Sequence, residues 1–524
     1  MLSDVWFAYP DSTVPIIRGL ELSVPLSRCT ILVGPTGAGK STILKILRGF
    51  YKLHGGRIKG KIRIQGIDYA QLTFDDITSR GIVFMHQDPH SNIHLLSVRD
   101  EIQSGLVYNN FPWEQIMNIA DKTKESMGIS YLVDRCTEQL SEGELQKIGI
   151  ASSLALCYGF KKSPILLLDS PMSLLDGRSQ DELIETLKGL KKQDVTILIA
   201  CPDLGPYKEI ADKAVLIAEG RKVKEGSAEA IIDCQEYNKL VGVPLVSDAD
   251  FLKSANVKNS KEDTGRAYHG SDYAFTFQNI RFSYNDSLVF NNISGEIGRL
   301  GTVTAIFGHN GSGKTTLIKL MLGILKPLKG EILLFGKNPQ KYSASEIGPK
   351  IAFVTQNPTE MFVSNTVEEE CLIAPINLHV NNPEALVSQA LKLTHLDHLT
   401  DRSVDSLSGG ERRLLSLACT ALVSNCSLVI LEEPDLALNP NRWKEVLKIL
   451  LEFRQSGKTV ILTTHAIETA ILCDEILVLS GGNLVFRGTS SEFLNEKQAM
   501  KDMGNRQNDR LLKIKKIMSH LKKT

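Results

Sequence analysis

The chain has 524 residues, too many for one hydrophobic core, so two domains or more are expected. Its 60 Lys and Arg residues balance 60 Asp and Glu residues, which argues against a protein that binds nucleic acid nonspecifically. No apolar run is long enough to span a membrane, and a strand pattern begins too close to Met1 to leave room for a signal peptide. The nine cysteines are scattered, which indicates reduced thiols in the cytosol.

The first half of the chain predicts an alternation of strands and helices. Two strands over 2–24 precede a glycine-rich loop, and an apolar helical pattern follows that loop. A helix-rich segment is predicted over about 91–136. The remaining strands are predicted over 60–66, 81–87, 165–169 and 196–200.

The second half repeats this order. Two strands over 275–297 lead into a second glycine-rich loop, and a helix-rich segment is predicted over about 364–398. Alternating apolar strands and helices favour a mostly parallel α/β core in each half. The predicted domains are 1–246 and 272–500, joined by a polar linker over 247–271, with a basic amphipathic helix over 501–524.

Both glycine-rich loops match the pattern G-x-x-x-x-G-K-[ST] between a strand and a helix, the context in which it binds phosphate. Glycines let backbone N–H groups approach phosphate oxygens, and the helix N-terminus adds partial positive charge. The lysine reaches the β- and γ-phosphates, and the following hydroxyl is a ligand for Mg²⁺. The loops comprise Gly34, Pro35, Thr36, Gly37, Ala38, Gly39, Lys40, Ser41 and Thr42, and Gly308, His309, Asn310, Gly311, Ser312, Gly313, Lys314, Thr315 and Thr316.

Further motifs follow each loop in the same order. They are a strand ending at glutamine (Gln87, Gln356), an LSxGE pentapeptide (140–144, 407–411), an apolar strand ending in an acid (Asp169, Glu432) and a last strand that leads to His465 in the second half. This set resembles the ATP-binding cassette (ABC) ATPases over nearly the whole chain. The resemblance implies tandem ABC-type domains, each with a mostly parallel sheet, an antiparallel β subdomain and a helical subdomain.

The resemblance also implies a role for each matching residue, with ATP and Mg²⁺ as cofactors. Tyr9 and Tyr284 would stack on adenine. Ser141 with Gly143, and Ser408 with Gly409 and Gly410, would hold the γ-phosphate bound to the opposite cassette, so that the two cassettes of one chain pair around ATP. Glu433 would be the general base and His465 would contact the γ-phosphate, beside Lys314 and Gln356. The predicted Mg²⁺ ligands are Ser41, Gln87, Asp169, Thr315, Gln356 and Glu432.

The first half departs from the family pattern at its catalytic positions. Ser170 stands in place of the general base, and Cys201-Pro202 replaces the histidine position. Losing a positioned base costs about 10²–10⁴ in rate, so slow hydrolysis is predicted on Lys40 and ready hydrolysis on Lys314. Two features of the second site bear on the prediction that it hydrolyses ATP readily. Glu432 is one methylene longer than the usual aspartate, and Glu142 in the opposing loop weakens closure if it points toward the phosphates.

The segment that follows Gln356 narrows the class of transporter. Residues 356–370 resemble the corresponding segment of energy-coupling-factor (ECF) ATPases, which drive uptake of vitamins and of cobalt or nickel ions. This resemblance implies integral membrane partners, namely transmembrane and substrate-binding components, and a peripheral location on the cytoplasmic side of the membrane. No nucleic acid partner is expected. The alternatives are a fused sugar-importer ATPase and a soluble ribosome-binding ABC-F factor.

Overall fold

A computed structural model describes residues 1–241 except 11, 13, 161 and 162. It also describes residues 272–496 except 285, 286, 359, 360, 422–425, 437 and 439. The chain divides into a first unit, Met1–Val243, and a second unit, Pro244–Thr524. The predicted linker and the predicted C-terminal helix lie outside the described residues.

The first unit contains two sheets and a set of helices. Its strands are β1 (Leu2–Ala8), β2 (Ile17–Leu22), β3 (Cys29–Val33), β4 (Arg57–Ile64), β5 (Ile67–Asp68), β6 (Ile82–Met85), β7 (Ile165–Asp169), β8 (Thr196–Cys201), β9 (Lys213–Ala218) and β10 (Arg221–Gly226). Its helices are α1 (Lys40–Arg48), α2 (Phe50–His54), α3 (Phe74–Ser79), α4 (Val98–Tyr108), α5 (Trp113–Ser126), α6 (Glu142–Gly159), α7 (Gly177–Lys191), α8 (Ala228–Ile232) and α9 (Gln235–Leu240).

The larger sheet of the first unit has the order β10-β9-β3-β8-β7-β6 and is parallel except for the β9–β10 pair. Strand β3 is buried along its whole length, as expected for a sheet covered on both faces. Alternation sends Ile31 and Val33 into a core shared with α4–α7. Leu32 points into a second core shared with α1 and the antiparallel sheet β2-β1-β4-β5.

The second unit repeats this plan with fewer described elements. Its strands are β11 (Tyr273–Tyr284), β12 (Ser287–Arg299), β13 (Val303–Phe307), β14 (Lys329–Leu334), β15 (Ile351–Val354), β16 (Leu428–Glu432), β17 (Thr459–Thr464), β18 (Glu475–Ser480) and β19 (Asn483–Thr489). Its helices are α10 (Lys314–Met321), α11 (Ala344–Ile347), α12 (Val367–Asn377), α13 (Pro383–Leu393), α14 (Gly409–Ala421), α15 (Pro440–Gln455), α16 (Ile467–Ala470) and α17 (Ser490–Phe493).

The larger sheet of the second unit has the order β15-β16-β17-β13-β18-β19, and its β18–β19 pair is antiparallel. Strand β13 again feeds two cores, with Ala305 and Phe307 on one side and Ile306 on the other. The predicted α/β fold is therefore confirmed in both units: a mostly parallel sheet, an antiparallel sheet and a helical segment. Within the described ranges, no helix is long and apolar enough to cross a lipid bilayer.

This topology places the candidate sites. The glycine-rich loops leave the carboxyl ends of β3 and β13, and the predicted acids Asp169 and Glu432 end β7 and β16. The strand between them in each sheet, β8 or β17, ends at the same edge because these neighbours are parallel. Open α/β sheets bind ligands at this edge.

Candidate nucleotide-binding sites

Both glycine-rich loops adopt the same backbone geometry. Gly39 and Gly313 have φ of 94° and 101° at the N-caps of α1 and α10, a left-handed conformation that favours glycine. A Cβ on Gly39 would lie 2.7 Å from Ile17, and one on Gly313 would lie 2.8 Å from Phe290. Neither helix has a side-chain cap, so the first backbone N–H groups are available to phosphate oxygens.

The loop lysines curl over their own loops. Lys40 Nζ donates to the carbonyls of Gly34 and Pro35, both at 2.8 Å, and burial lowers the pKa of Lys40. Lys314 Nζ donates to Gly308 O at 2.9 Å and to the following carbonyl at 3.0 Å. Each lysine is buried with its ammonium against two carbonyls of its own loop, the placement that a phosphate-binding lysine needs.

The predicted hydroxyl and carboxylate ligands for Mg²⁺ come together in both units. A hydrogen bond from Ser41 lowers the pKa of Asp169, although burial outweighs it and raises that pKa overall. Burial also raises the pKa of Glu432, and a hydrogen bond from Thr315 offsets only part of that rise. Glu432 Oε1 is buried and has no hydrogen-bond partner among the described residues. A buried carboxylate oxygen that lies beside a hydroxyl and accepts no hydrogen bond suits a hard divalent cation. The side chain of Glu432 therefore fits Mg²⁺ although it is one methylene longer than aspartate.

Glu433, the predicted general base, lies at the centre of a buried charge cluster in the second unit. Its side chain is 7% exposed, with Oε1 3.5 Å from Lys314 Nζ and Oε2 3.3 Å from His465 Nδ1. Burial alone would raise the pKa of Glu433, but the charges of His465 and Lys314 lower it to about 2. Burial alone would lower the pKa of His465, but the charge of Glu433 and its hydrogen bond to the imidazole raise that pKa overall. The cluster therefore holds Glu433 as a carboxylate.

The backbone at the base position is alike in both units. Glu433 and Ser170 have φ of 42° and 50°, in the left-handed region where non-glycine residues are strained. Their backbone N–H groups donate to equivalent strand carbonyls, Thr463 O at 3.1 Å and Ala200 O at 2.8 Å. The two units therefore differ at this position in the side chain, not in the backbone.

The pairing of the strands identifies which residue of the first unit corresponds to His465 in the second. Asp169 pairs with Ala200 as Glu432 pairs with Thr463. Counting on from these pairs, Pro202 stands where the second unit has His465. The sequence assigned the position to Cys201-Pro202 together, but Cys201 is the last residue of β8 and corresponds to Thr464 at the end of β17. The first unit therefore has no imidazole at this position.

The two LSxGE motifs form capping boxes at the starts of α6 and α14. Ser141 and Ser408 donate through their hydroxyls to Glu144 and Glu411, each at 2.8 Å, and both backbone N–H groups bond the same carboxylates. Glu142 is half-buried and has interactions of its own. The serines and the glycines that follow them are therefore held at the first turn of a helix.

The remaining predicted residues lie at less enclosed positions. Tyr9 and Tyr284 are 37% and 43% exposed, and each packs edge-on against a phenylalanine two residues earlier. The Tyr9 hydroxyl also lies 3.2 Å from Thr42 Oγ1, which places it beside the first phosphate loop. Gln87 is exposed and Gln356 is half-buried, each after the end of a strand.

Sequence reasoning missed three buried residues that fix the loop after each glutamine. Glu101 accepts the backbone N–H groups of His94 and Leu95, and Glu370 accepts those of Val363 and Ser364, at 2.8–2.9 Å. In the second unit Arg413 on α14 also donates to Thr355 O at 2.9 Å and to Gln356 O. The sequence signal that could have identified the two glutamates is their matching position, since each is the fourth residue of its helix.

Comparisons with known proteins match both units. The family model described as "ABC transporter" matches residues 17–173 and 290–436, together more than half of the chain. The "Putative HMP/thiamine import ATP-binding protein YkoD" of Bacillus subtilis (strain 168) is 26% identical over 523 residues, covering 94% of this chain and 92% of that protein. A "Putative ABC transporter ATP-binding protein" of Methanosarcina acetivorans is 28% identical over 472 residues, covering 88% and 85%.

One solved structure covers nearly the whole chain. It is the archaeal ribosome recycling factor aABCE1 in complex with the ribosomal stalk protein aP1. The similarity has a TM-score of 0.59 and 20% identity, covering 95% of this chain and 92% of that chain. At this identity the match shows a shared fold and nothing about partners.

Proposed function

Because this chain belongs to the ABC transporter family and is an ABC ATPase, we propose that it energises a membrane importer and hydrolyses ATP readily in only one of its two cassettes. The first and second units are the first and second cassettes. The observation that carries this proposal is the cluster of Glu433, His465 and Lys314 in the second cassette. The first cassette has Ser170 and Pro202 at the corresponding positions.

In the second cassette the proposed base is ionised and positioned. Glu433 would accept a proton from the attacking water, and Lys314 would move from the carboxylate toward phosphate when ATP binds. That exchange frees one oxygen of Glu433, which the ammonium otherwise neutralises. Mg²⁺, when bound, supplies positive charge against the phosphates, and Thr315, Glu432 and Gln356 are the residues proposed to hold it.

In the first cassette the elements that bind ATP persist without the base. Lys40, Ser41 and Asp169 have the same placement as their counterparts in the second cassette. No described carboxylate lies within ion-pair distance of Lys40 Nζ. A serine hydroxyl cannot take a proton from water at neutral pH, so this site is proposed to bind ATP, with Mg²⁺ on Ser41, Asp169 and Gln87, and to hydrolyse it slowly.

The proposed transport role rests on the relatives and on the segment after Gln356. A relative aligned over nearly all of both chains is named for HMP/thiamine import. The ECF-like segment 356–370 agrees with uptake of a vitamin or a transition-metal ion. The two cassettes of one chain are proposed to pair around ATP at the cytoplasmic face of the membrane, where their opening and closing would move the transmembrane component.

Purification from membranes tests the transport role. Affinity-tagged full-length chain, extracted in mild detergent, is expected to bring down integral membrane proteins in stoichiometric amounts. A matched preparation sedimented through sucrose tests the ribosome-binding alternative. Co-sedimentation with ribosomes and no associated membrane protein would contradict the proposal.

A further inference from the structure

Besides Glu432 and Glu433, the second cassette has a further carboxylate, Asp435, whose charge acts on His465 and which has no part in the proposed chemistry. Asp435 Oδ2 accepts hydrogen bonds from Thr464 Oγ1 at 2.7 Å and from Thr469 Oγ1 at 2.6 Å. Asp435 Oδ1 is shielded from solvent and accepts no hydrogen bond from any residue in the described ranges. Short hydroxyl–carboxylate bonds of this kind are among the stronger ones in proteins, so Asp435 is firmly held.

The contacts of Asp435 bracket the turn that carries His465. Thr464 is the last residue of β17, and its hydroxyl also accepts the Ala466 N–H at 2.9 Å. Thr469 lies in α16, which begins two residues after His465. One carboxylate therefore ties the strand before the histidine to the helix after it, and through Thr464 it fixes the intervening backbone.

The first cassette lacks every part of this arrangement. Counting on without gaps from the register pairs Asp169–Ala200 and Glu432–Thr463 aligns Met172 with Asp435, Cys201 with Thr464 and Pro206 with Thr469. None of these three side chains has a hydroxyl or a carboxylate. Asp435 and its two partners are thus found only in the cassette that has Glu433 and His465.

We propose that Asp435 is a positioning residue for ATP hydrolysis in the second cassette, holding His465 in place through the hydroxyls of Thr464 and Thr469. This inference rests on the proposed function of that cassette. Among the described residues, Glu433, Asp435 and Lys314 are charged groups that act on His465. Asp435 acts on the orientation of the imidazole, so its loss should lower kcat and leave the KM for ATP nearly unchanged.

A double-mutant cycle on the full-length chain tests this coupling. The variants are Asp435→Asn, His465→Ala and the combination, assayed by steady-state phosphate release with Mg²⁺-ATP. Asp435→Asn is expected to lower kcat about tenfold, since hydrogen bonds to charged groups are among the stronger ones. In the His465→Ala background the same change is expected to lower kcat by less than about twofold. Glu346→Gln, which removes an exposed carboxylate of the same cassette, controls for the lost charge.

The hydroxyl partners provide a second test if Asp435→Asn does not fold. Thr469→Val is expected to lower kcat, and Thr469→Ser, which restores the hydroxyl, is expected to recover most of it. Equal losses from Asp435→Asn with and without His465, or equal losses from the Val and Ser variants, would overturn the positioning role. If His465→Ala itself keeps full turnover, the proposed function of the second cassette fails instead.

Discussion

Replacing Glu433 with Gln should abolish most ATP turnover while leaving the fold and ATP binding in place. Glutamine matches the shape of the buried side chain and keeps one oxygen near Lys314 Nζ, which lies 3.5 Å from Oε1. It cannot accept a proton from water. Loss of a positioned base lowers the rate about 10²–10⁴-fold, equivalent to about 2.7–5.4 kcal/mol in activation free energy.

The assay combines steady-state phosphate release with titration of a fluorescent ATP analogue. The analogue separates a chemical defect from a binding defect, and a thermal melt checks that the variant folds. Ser170→Ala is the matched control, because Ser170 occupies the same backbone position in the first cassette. It is expected to leave turnover within about twofold. If Glu433→Gln keeps more than about a tenth of wild-type turnover, or if Ser170→Ala removes it, the assignment of hydrolysis to the second cassette is wrong.

Three further predictions follow from individual contacts. Ser170→Glu alone should leave turnover within about twofold, because Pro202 provides no imidazole, and a clear gain in phosphate release from this single change would contradict that reasoning. Glu370→Gln should lower the free energy of unfolding by about 1–3 kcal/mol, since its carboxylate accepts two backbone N–H groups, whereas the exposed Glu368→Gln should have little effect in the same urea titration. Glu433 raises the pKa of His465, so this histidine stabilises the fold fully below its unfolded pKa of about 6.5 and less as pH rises through the raised value. The Tm difference between wild type and His465→Gln should therefore be larger at about pH 6 than at about pH 9, and an equal difference at both would count against the ion pair.

The repeat, the fold class and the identity of the loops could be predicted from the sequence, because each depends on short local patterns. Glycine spacing, strand periodicity and the LSxGE pentapeptides report on backbone geometry within a few residues of themselves. The contacts among distant residues could not be predicted in this way. Asp435 meets Thr464 and Thr469 only because β16 and β17 are parallel neighbours in the sheet.

The sequence alone also could not decide which residue of the first cassette corresponds to His465. Counting along the sequence left Cys201 and Pro202 as joint candidates, since helices and loops of unequal length separate the motifs in the two halves. The pairing of Asp169 with Ala200, and of Glu432 with Thr463, fixed the count to Pro202. Register is a tertiary property, because it depends on which strand lies beside which.

A single-turnover measurement of nucleotide content tests the central claim most directly. The full-length chain, purified together with any membrane proteins that accompany it, would be saturated with radiolabelled Mg²⁺-ATP, separated from free nucleotide and sampled over time. Hydrolysis confined to the second cassette predicts that one equivalent of ADP per chain forms quickly while a second equivalent of nucleotide remains ATP. Two equivalents of ADP forming at the same rate would contradict it.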